Sequence, residues 1–162
     1  MIRTTPDGTL VRDADSSAGG VHLVTVGGET TPYITIAAAL ADAVAGDLVL
    51  VGPGTYTESV TVPASVSLRA SGGVVGIVGT VTLLGDSTLA GLQITSAAGG
   101  TCVSADQGGS GGTADLRLER CELVTSGGGT ALLASAASIL VTGSLEVTCP
   151  ASTGVSLVAG DA

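Results

Sequence analysis

The amino-acid sequence predicts an all-β chain wound as a short parallel β-helix of about four to five coils, with one capping helix near residues 35–45. Two sets of repeated strand phrases, a glycine-rich composition almost without aromatics, and a single helical segment ahead of the repeats predict it. The first phrase opens at Ala64 ("ASVSLRAS"), Ser87 ("STLAGLQIT"), Ala114 ("ADLRLERCELVT") and Ala137 ("ASILVTGSLEVT"), at spacings of 23, 27 and 23 residues. The second opens at Thr101, Thr130 and Thr153, 29 and 23 residues apart. Two phrases kept in step imply stacked supersecondary units. The extra residues of the long unit fall in "DQGGSGG", Asp106 to Gly112, the pattern of a loop bulging from one coil. The chain has no Asn, which argues against leucine-rich repeats, and its β-branched strands and glycines argue against helical repeats. Coils ~4.8 Å apart would build a stub of roughly 20–25 Å.

Composition supports narrow, layered packing. The chain has 162 residues, enough for one domain with a real core. It has 26 Gly, no Phe or Trp, and only Tyr33 and Tyr56 as aromatics. The interior must therefore be filled with Val, Leu, Ile, Ala and Thr, since the large rings that usually fill core volume are missing. Five arginines face fourteen acids, for a net charge of −9. Such a surface repels phosphate, so no nucleic-acid partner is expected. Arg117 and Arg120 lie among Glu119 and Glu122, which reads as local ion pairing on a solvated face.

In chain order, Met1 to Gly20 reads as an N-terminal arm, polar and small, with a turn signal at Pro6-Asp7-Gly8. Residues 21–162 read as one β-helix domain. "VHLVTV", Val21 to Val26, alternates as a strand does. Thr35 is a candidate N-cap, Ile36, Leu40, Ala43 and Val44 fall on one helical face, and Gly46 closes the helix. That helix would cover the N-terminal sheet edge. Everything after Asp47 reads as short strands broken by Gly, Ser and Thr. The N-terminus has no apolar signal-peptide core, and no run of about 18 apolar residues suggests a membrane span.

Residues Tyr33 to Leu68 carry a resemblance. An aromatic-x-Thr-Ile entry (Tyr33, Thr35, Ile36) leads into an Ala-rich helix ending at Gly46-Asp47; "LVLV" follows, then "GTYTESVTVP" from Gly54 and "VSL" from Val66. This stretch resembles the N-terminal cap and first coil of the pectin-lyase-like right-handed parallel β-helix superfamily, most closely pectinesterases. The resemblance covers about a fifth of the chain and implies a right-handed coil. Phage tail and spike modules of that superfamily begin in the same way. A pectinesterase would also bring paired aspartates with glutamine and arginine partners, yet the chain has no Gln-Asp-Thr and no Phe. A polygalacturonase-like site would bring clustered aspartates and a histidine after the cap, but the only histidine, His22, precedes it. A lyase-like site would bring several acidic calcium ligands, whereas Asp86, Asp106 and Asp115 are scattered. None of those family residues maps onto this sequence.

The remaining chemistry is sparse. Glu119 and Glu122 are three apart, so strict alternation puts them on opposite faces unless a bulge at Arg120-Cys121 intervenes. Glu58 is expected to face solvent or to cap the helix. Cys102, Cys121 and Cys149 include no CxxC and are expected as small buried hydrophobes. "GGSGG" lacks the lysine and helix of a phosphate loop. The reading is therefore no enzyme, no catalytic, cofactor-binding or metal-binding residues, and no cofactor.

Several strands are apolar on both faces: "LVLV" at Leu48, "VVGIV" at Val74, "ALLA" at Ala131 and "SILV" at Ser138. Such strands expect cover on both sides. The expectation is a homotrimer, and by architectural analogy a structural virion protein of a tailed bacteriophage. A capsid decoration (cement) protein is preferred, contacting the major capsid protein or tail proteins and located in the virion, with no nucleic-acid or membrane partner. The alternatives are a tail spike or fibre module, a carbohydrate-binding or carbohydrate-active β-helix, and an end-to-end polymer.

Overall fold

The computed structural model describes residues 2–4, 10–12, 21–24, 33–106, 114–135, 137–149 and 155–158. Within the predicted arm, β1 (Ile2–Thr4) and β2 (Leu10–Arg12) pair antiparallel; the Pro6-Asp7-Gly8 turn between them lies outside the described residues. β3 (Val21–Val24) falls within the strand predicted over Val21 to Val26, of which Thr25-Val26 lie outside the described residues.

The helix α1 (Ile36–Asp42) begins where capping chemistry places it. Thr35 has extended backbone and its hydroxyl accepts from the Ala38 N–H at 3.2 Å. Its buried face is Ile36, Ala39 and Leu40, packed over β3 and the first strands of the sheets. Two expectations are corrected. Val44 is exposed, because the helix stops at Asp42, and Gly46 (φ 90°) belongs to the turn beyond, donating to the Ser65 carbonyl at 2.7 Å.

After the helix the chain makes five passes, each adding strands to three parallel stacks. The first pass gives β4 (Leu48–Val51), β5 (Gly54–Tyr56) and β6 (Val60–Val62). The second gives β7 (Ser67–Ala70), β8 (Val75–Val78) and β9 (Val81–Leu84). The third gives β10 (Thr88–Ala90), β11 (Gln93–Thr95) and β12 (Thr101–Asp106). In the last two passes the first two strands fuse into one long bent strand: β13 (Ala114–Val124) with β14 (Thr130–Ser135), then β15 (Ala137–Thr148) with β16 (Val155–Val158). The first stack runs β3-β4-β7-β10-β13-β15 and the second β5-β8-β11-β13-β15. The third runs β6-β9-β12-β14-β16. All these pairings are parallel, so the fold is all-β, built of curled parallel sheets with one short helix.

The register explains the composition. In the first stack Val49, Leu68, Leu89 and Leu118 stand in line, all buried. Tyr56, Ile77, Ile94 and Leu123 do the same in the second stack. Val60, Val81, Val103 and Leu132 do so in the third. These ladders share one hydrophobic core. Because the strands are three to six residues long in the first three passes, each contributes only one or two inward side chains, and aliphatics of similar size stack where large rings would not. Tyr56 is the exception; it caps its ladder at the helix end and its hydroxyl donates to the Gly52 carbonyl at 3.0 Å. Ser87 Oγ and Ser96 Oγ are buried without a hydrogen-bond partner among the described residues, an arrangement that costs about 1–3 kcal/mol per group.

The repeat phrases are partly corrected by this register. Ala114 does pair with Ala137, and Thr101 with Thr130. Thr88, however, pairs with Ser67 on one side and Arg117 on the other, so the Ser87 phrase is slipped by two residues against both the Ala64 and the Ala114 phrases, which keep register with each other. Leu132 pairs with Val155, which keeps the 23-residue step, while Thr153 itself lies outside the described residues. The longest step, 29 residues from Thr88 to Arg117, contains the glycine-rich segment between β12 and β13; residues 107–113 lie outside the described residues.

Candidate functional site

Polar chemistry on the described surface gathers at the corner where the first stack turns into the second. That corner needs a left-handed residue on successive passes: Gly91 (φ 69°), Arg120 (φ 51°) and Gly143 (φ 80°). Across β13 and β15, one residue (Arg120) opposes two (Gly143 and Ser144) between the pairs Glu119–Thr142 and Cys121–Leu145. This is a β-bulge, and it bends the strand.

The bulge overturns strict alternation at Glu119 and Glu122. Leu118 and Cys121 both point into the core, so both glutamates are outside, on two different faces meeting at the corner. Each has its own partner. Glu119 accepts from the Arg69 guanidinium at 3.2 Å and from Arg120 at 3.4 Å. Ala90 lies between Arg69 and Glu119 in register, and the bridge closes over it, leaving Ala90 only 3% exposed. With side chains 43% and 27% exposed, the pair contributes at most about 1 kcal/mol. Glu122 accepts from Gln93 Nε2 at 2.7 Å. Around these residues runs a shallow groove of about 220 Å³, its wall including Val74, Gln93, Arg120, Glu122, Ser144 and Glu146.

Cys121 lies beneath the groove, buried, with its thiol near the Leu89 and Glu119 carbonyls at 3.7 and 3.5 Å. Burial pushes its pKa up, against the pull of the backbone hydrogen bonds around it, which keeps it a thiol rather than a nucleophilic thiolate. Cys102 is buried and Cys149 half-buried, and all three are free. Among the described residues no group of three His, Cys, Asp or Glu is placed to hold a metal ion. His22 stands opposite Val49 in β3. Asp86 is exposed, and the side chains of Asp106 and Asp115 lie outside the described set.

Glu58 takes the helix-cap role. Its carboxylate accepts from the Ile36 and Ala37 N–H groups, both at 2.9 Å, binding two of the orphan donors at the start of α1 from a strand connection 22 residues away. Glu58→Ala is expected to lower stability by about 1–2 kcal/mol, read as a fall in the thermal midpoint; an unchanged midpoint would show that the two bonds contribute nothing net. Tyr33 donates to Asp42 Oδ2 at 2.9 Å, so both tyrosines serve the helix end of the fold.

The bulged corner is what sequence reasoning only half reached. Glycine at positions 91 and 143 is a readable sign of left-handed backbone, but Arg120 between them is not. Another signal was there to be used: Gly79-Thr80, Gly100-Thr101 and Gly129-Thr130 mark the turn from second to third stack on three successive passes.

No helix among the described residues is long and apolar enough to cross a membrane. No family model, no curated protein and no solved structure matches this chain.

Proposed function

We propose that the chain winds as a short right-handed parallel β-helix and serves as a non-enzymatic structural protein. In this reading it is a homotrimeric capsid decoration protein of a tailed bacteriophage. The observation that carries the structural role is how the outer polar groups are used. Glu58 holds the helix, Glu119 bridges Arg69 across Ala90, and Glu122 is tied to Gln93, so these acids brace neighbouring passes rather than converge on a substrate. The five passes in parallel register support the β-helix, and the almost universal hand of parallel crossovers supports the right-handed sense. The pectin-lyase-like resemblance of Tyr33 to Leu68 agrees with it. Val21, Val74, Val78 and Leu140 are exposed, and exposed aliphatics on an acidic stub suit association with further protein. The virion assignment rests on analogy of architecture.

Size-exclusion chromatography with light scattering tests the assembly, with an expected mass of three times the 15.4 kDa of one chain. Co-sedimentation with undecorated capsids tests the site of action. A single-chain mass, or a trimer that ignores the shells while binding phage tails, would refute the decoration role.

A second reading is a carbohydrate-binding β-helix, favoured by the groove in which an amide, a guanidinium and two carboxylates meet. Neither tyrosine reaches that groove, so it lacks a stacking surface for sugar rings. Binding on a glycan array would reverse the order of the two readings.

A further inference from the structure

We propose that the trimer is built by docking the first-stack face of one copy onto the second-stack face of the next. This rests on the homotrimer reading above and assigns its interface. The chain is strongly acidic, yet the three arginines of residues 33–149 are not scattered. Arg69 and Arg117 lie on the outer face of the first stack, where Glu119 is their acidic neighbour, and Arg120 stands at the corner, bonded to Glu119 and bordering the groove that Glu122 and Glu146 line. Arg117 is exposed and makes no ion pair among the described residues.

The second-stack face has the opposite character. Glu122 and Glu146 stand directly opposite each other in register on β13 and β15. Like charges so placed destabilise a sheet. Gln93 relieves Glu122, but no described donor reaches Glu146, which is exposed. A cation arriving from outside would remove that cost.

Apolar surface is exposed on each face, and Val74 lines the same groove as Glu146. Leu140, 52% exposed, is in register with Arg117, while Val74 (72%) and Val78 (39%) lie on the second-stack side. Each face thus offers an unpartnered charge of one sign together with exposed aliphatics, and the two are complementary.

A contact between two different faces is heterologous, so it must close into a ring or extend as a filament. Here the faces meet along the edge of Gly91, Arg120 and Gly143, so each copy is a wedge. Closed into the ring of three read above, the copies would pair every Arg117 with a Glu146 of a neighbour.

Arg117→Glu, Glu146→Arg and the double variant test this, each followed by light scattering with far-ultraviolet circular dichroism as the check on folding. The natural chain is expected at three times the single-chain mass, both single reversals at the single-chain mass, and the double variant at the trimer mass again. Should a reversal unfold the chain, Arg117→Gln and Glu146→Gln are each expected to raise the dissociation concentration roughly tenfold. Folded single reversals that stay trimeric, or a double variant that fails to reassemble, overturn this interface and leave the trimer standing. A natural chain running as a single copy overturns the trimer and the interface together.

Discussion

Leu89→Ala is expected to lower unfolding stability by about 2–5 kcal/mol. Leu89 is fully buried in the middle of the first stack, with Leu68 below it and Leu118 above. Truncation loses the transfer energy of the isobutyl group and leaves a hole that cannot collapse easily. Its neighbours are pinned by strand pairing on both sides and can close the gap only by shifting whole passes. For a chain of this length that is a fall of roughly 10 °C in the thermal midpoint. Thr61→Ala, on the exposed position of β6, is expected within about 0.5 kcal/mol of the natural chain. Chemical denaturation of both variants checks the contrast. A Leu89→Ala loss below about 1 kcal/mol would mean that the aliphatic ladder is not what holds the passes together.

Gly79→Ala is expected to cost about 2–4 kcal/mol, although it adds a single methyl group. Gly79 turns the chain from the second stack to the third with φ +157°. A Cβ there would strike the Glu58 carbonyl oxygen and lie 2.8 Å from its carbon, with Ser59 Oγ at 3.0 Å. The obstacle is backbone of the previous pass, which cannot swing aside as a side chain would. Displacing it also moves Glu58, whose carboxylate holds the start of α1, so part of the Glu58→Ala loss should already be contained in the Gly79→Ala loss. Gly128→Ala is the comparison: its φ is +87° but nothing lies within 4 Å of the added carbon. It should cost only the backbone penalty, about 1 kcal/mol. Equal losses at the two positions would show that close approach between passes is not the cause.

The surface differs from what the strand patterns suggest. "LVLV", "VVGIV", "ALLA" and "SILV" look apolar on both sides, which predicts one continuous greasy wall. Instead the outward line of the first stack reads Leu48, Ser67, Thr88, Arg117, Leu140. Leu48 and Leu140 are separated by three polar residues, and Val74 and Val78 lie on the other side of the corner. A sequence shows neighbours along a strand. It does not show neighbours across strands, and a surface patch is made of the latter.

From the residues alone came the parallel stacked strands, the Thr35 cap and the aliphatic interior, because period-two alternation, cap chemistry and composition are local properties. Glu58 was narrowed to two roles by its position in the cap segment, and geometry selected one of them. The exact alignment of the passes was not local. A two-residue slip keeps every side chain on its own face, so alternation scores the true and slipped registers alike, and only the packing of Leu89 between Leu68 and Leu118 separates them. The same holds at Arg120. Its left-handed backbone follows from stacking over Gly91 and under Gly143, and that stacking alone sets Glu119 and Glu122 on adjoining outer faces.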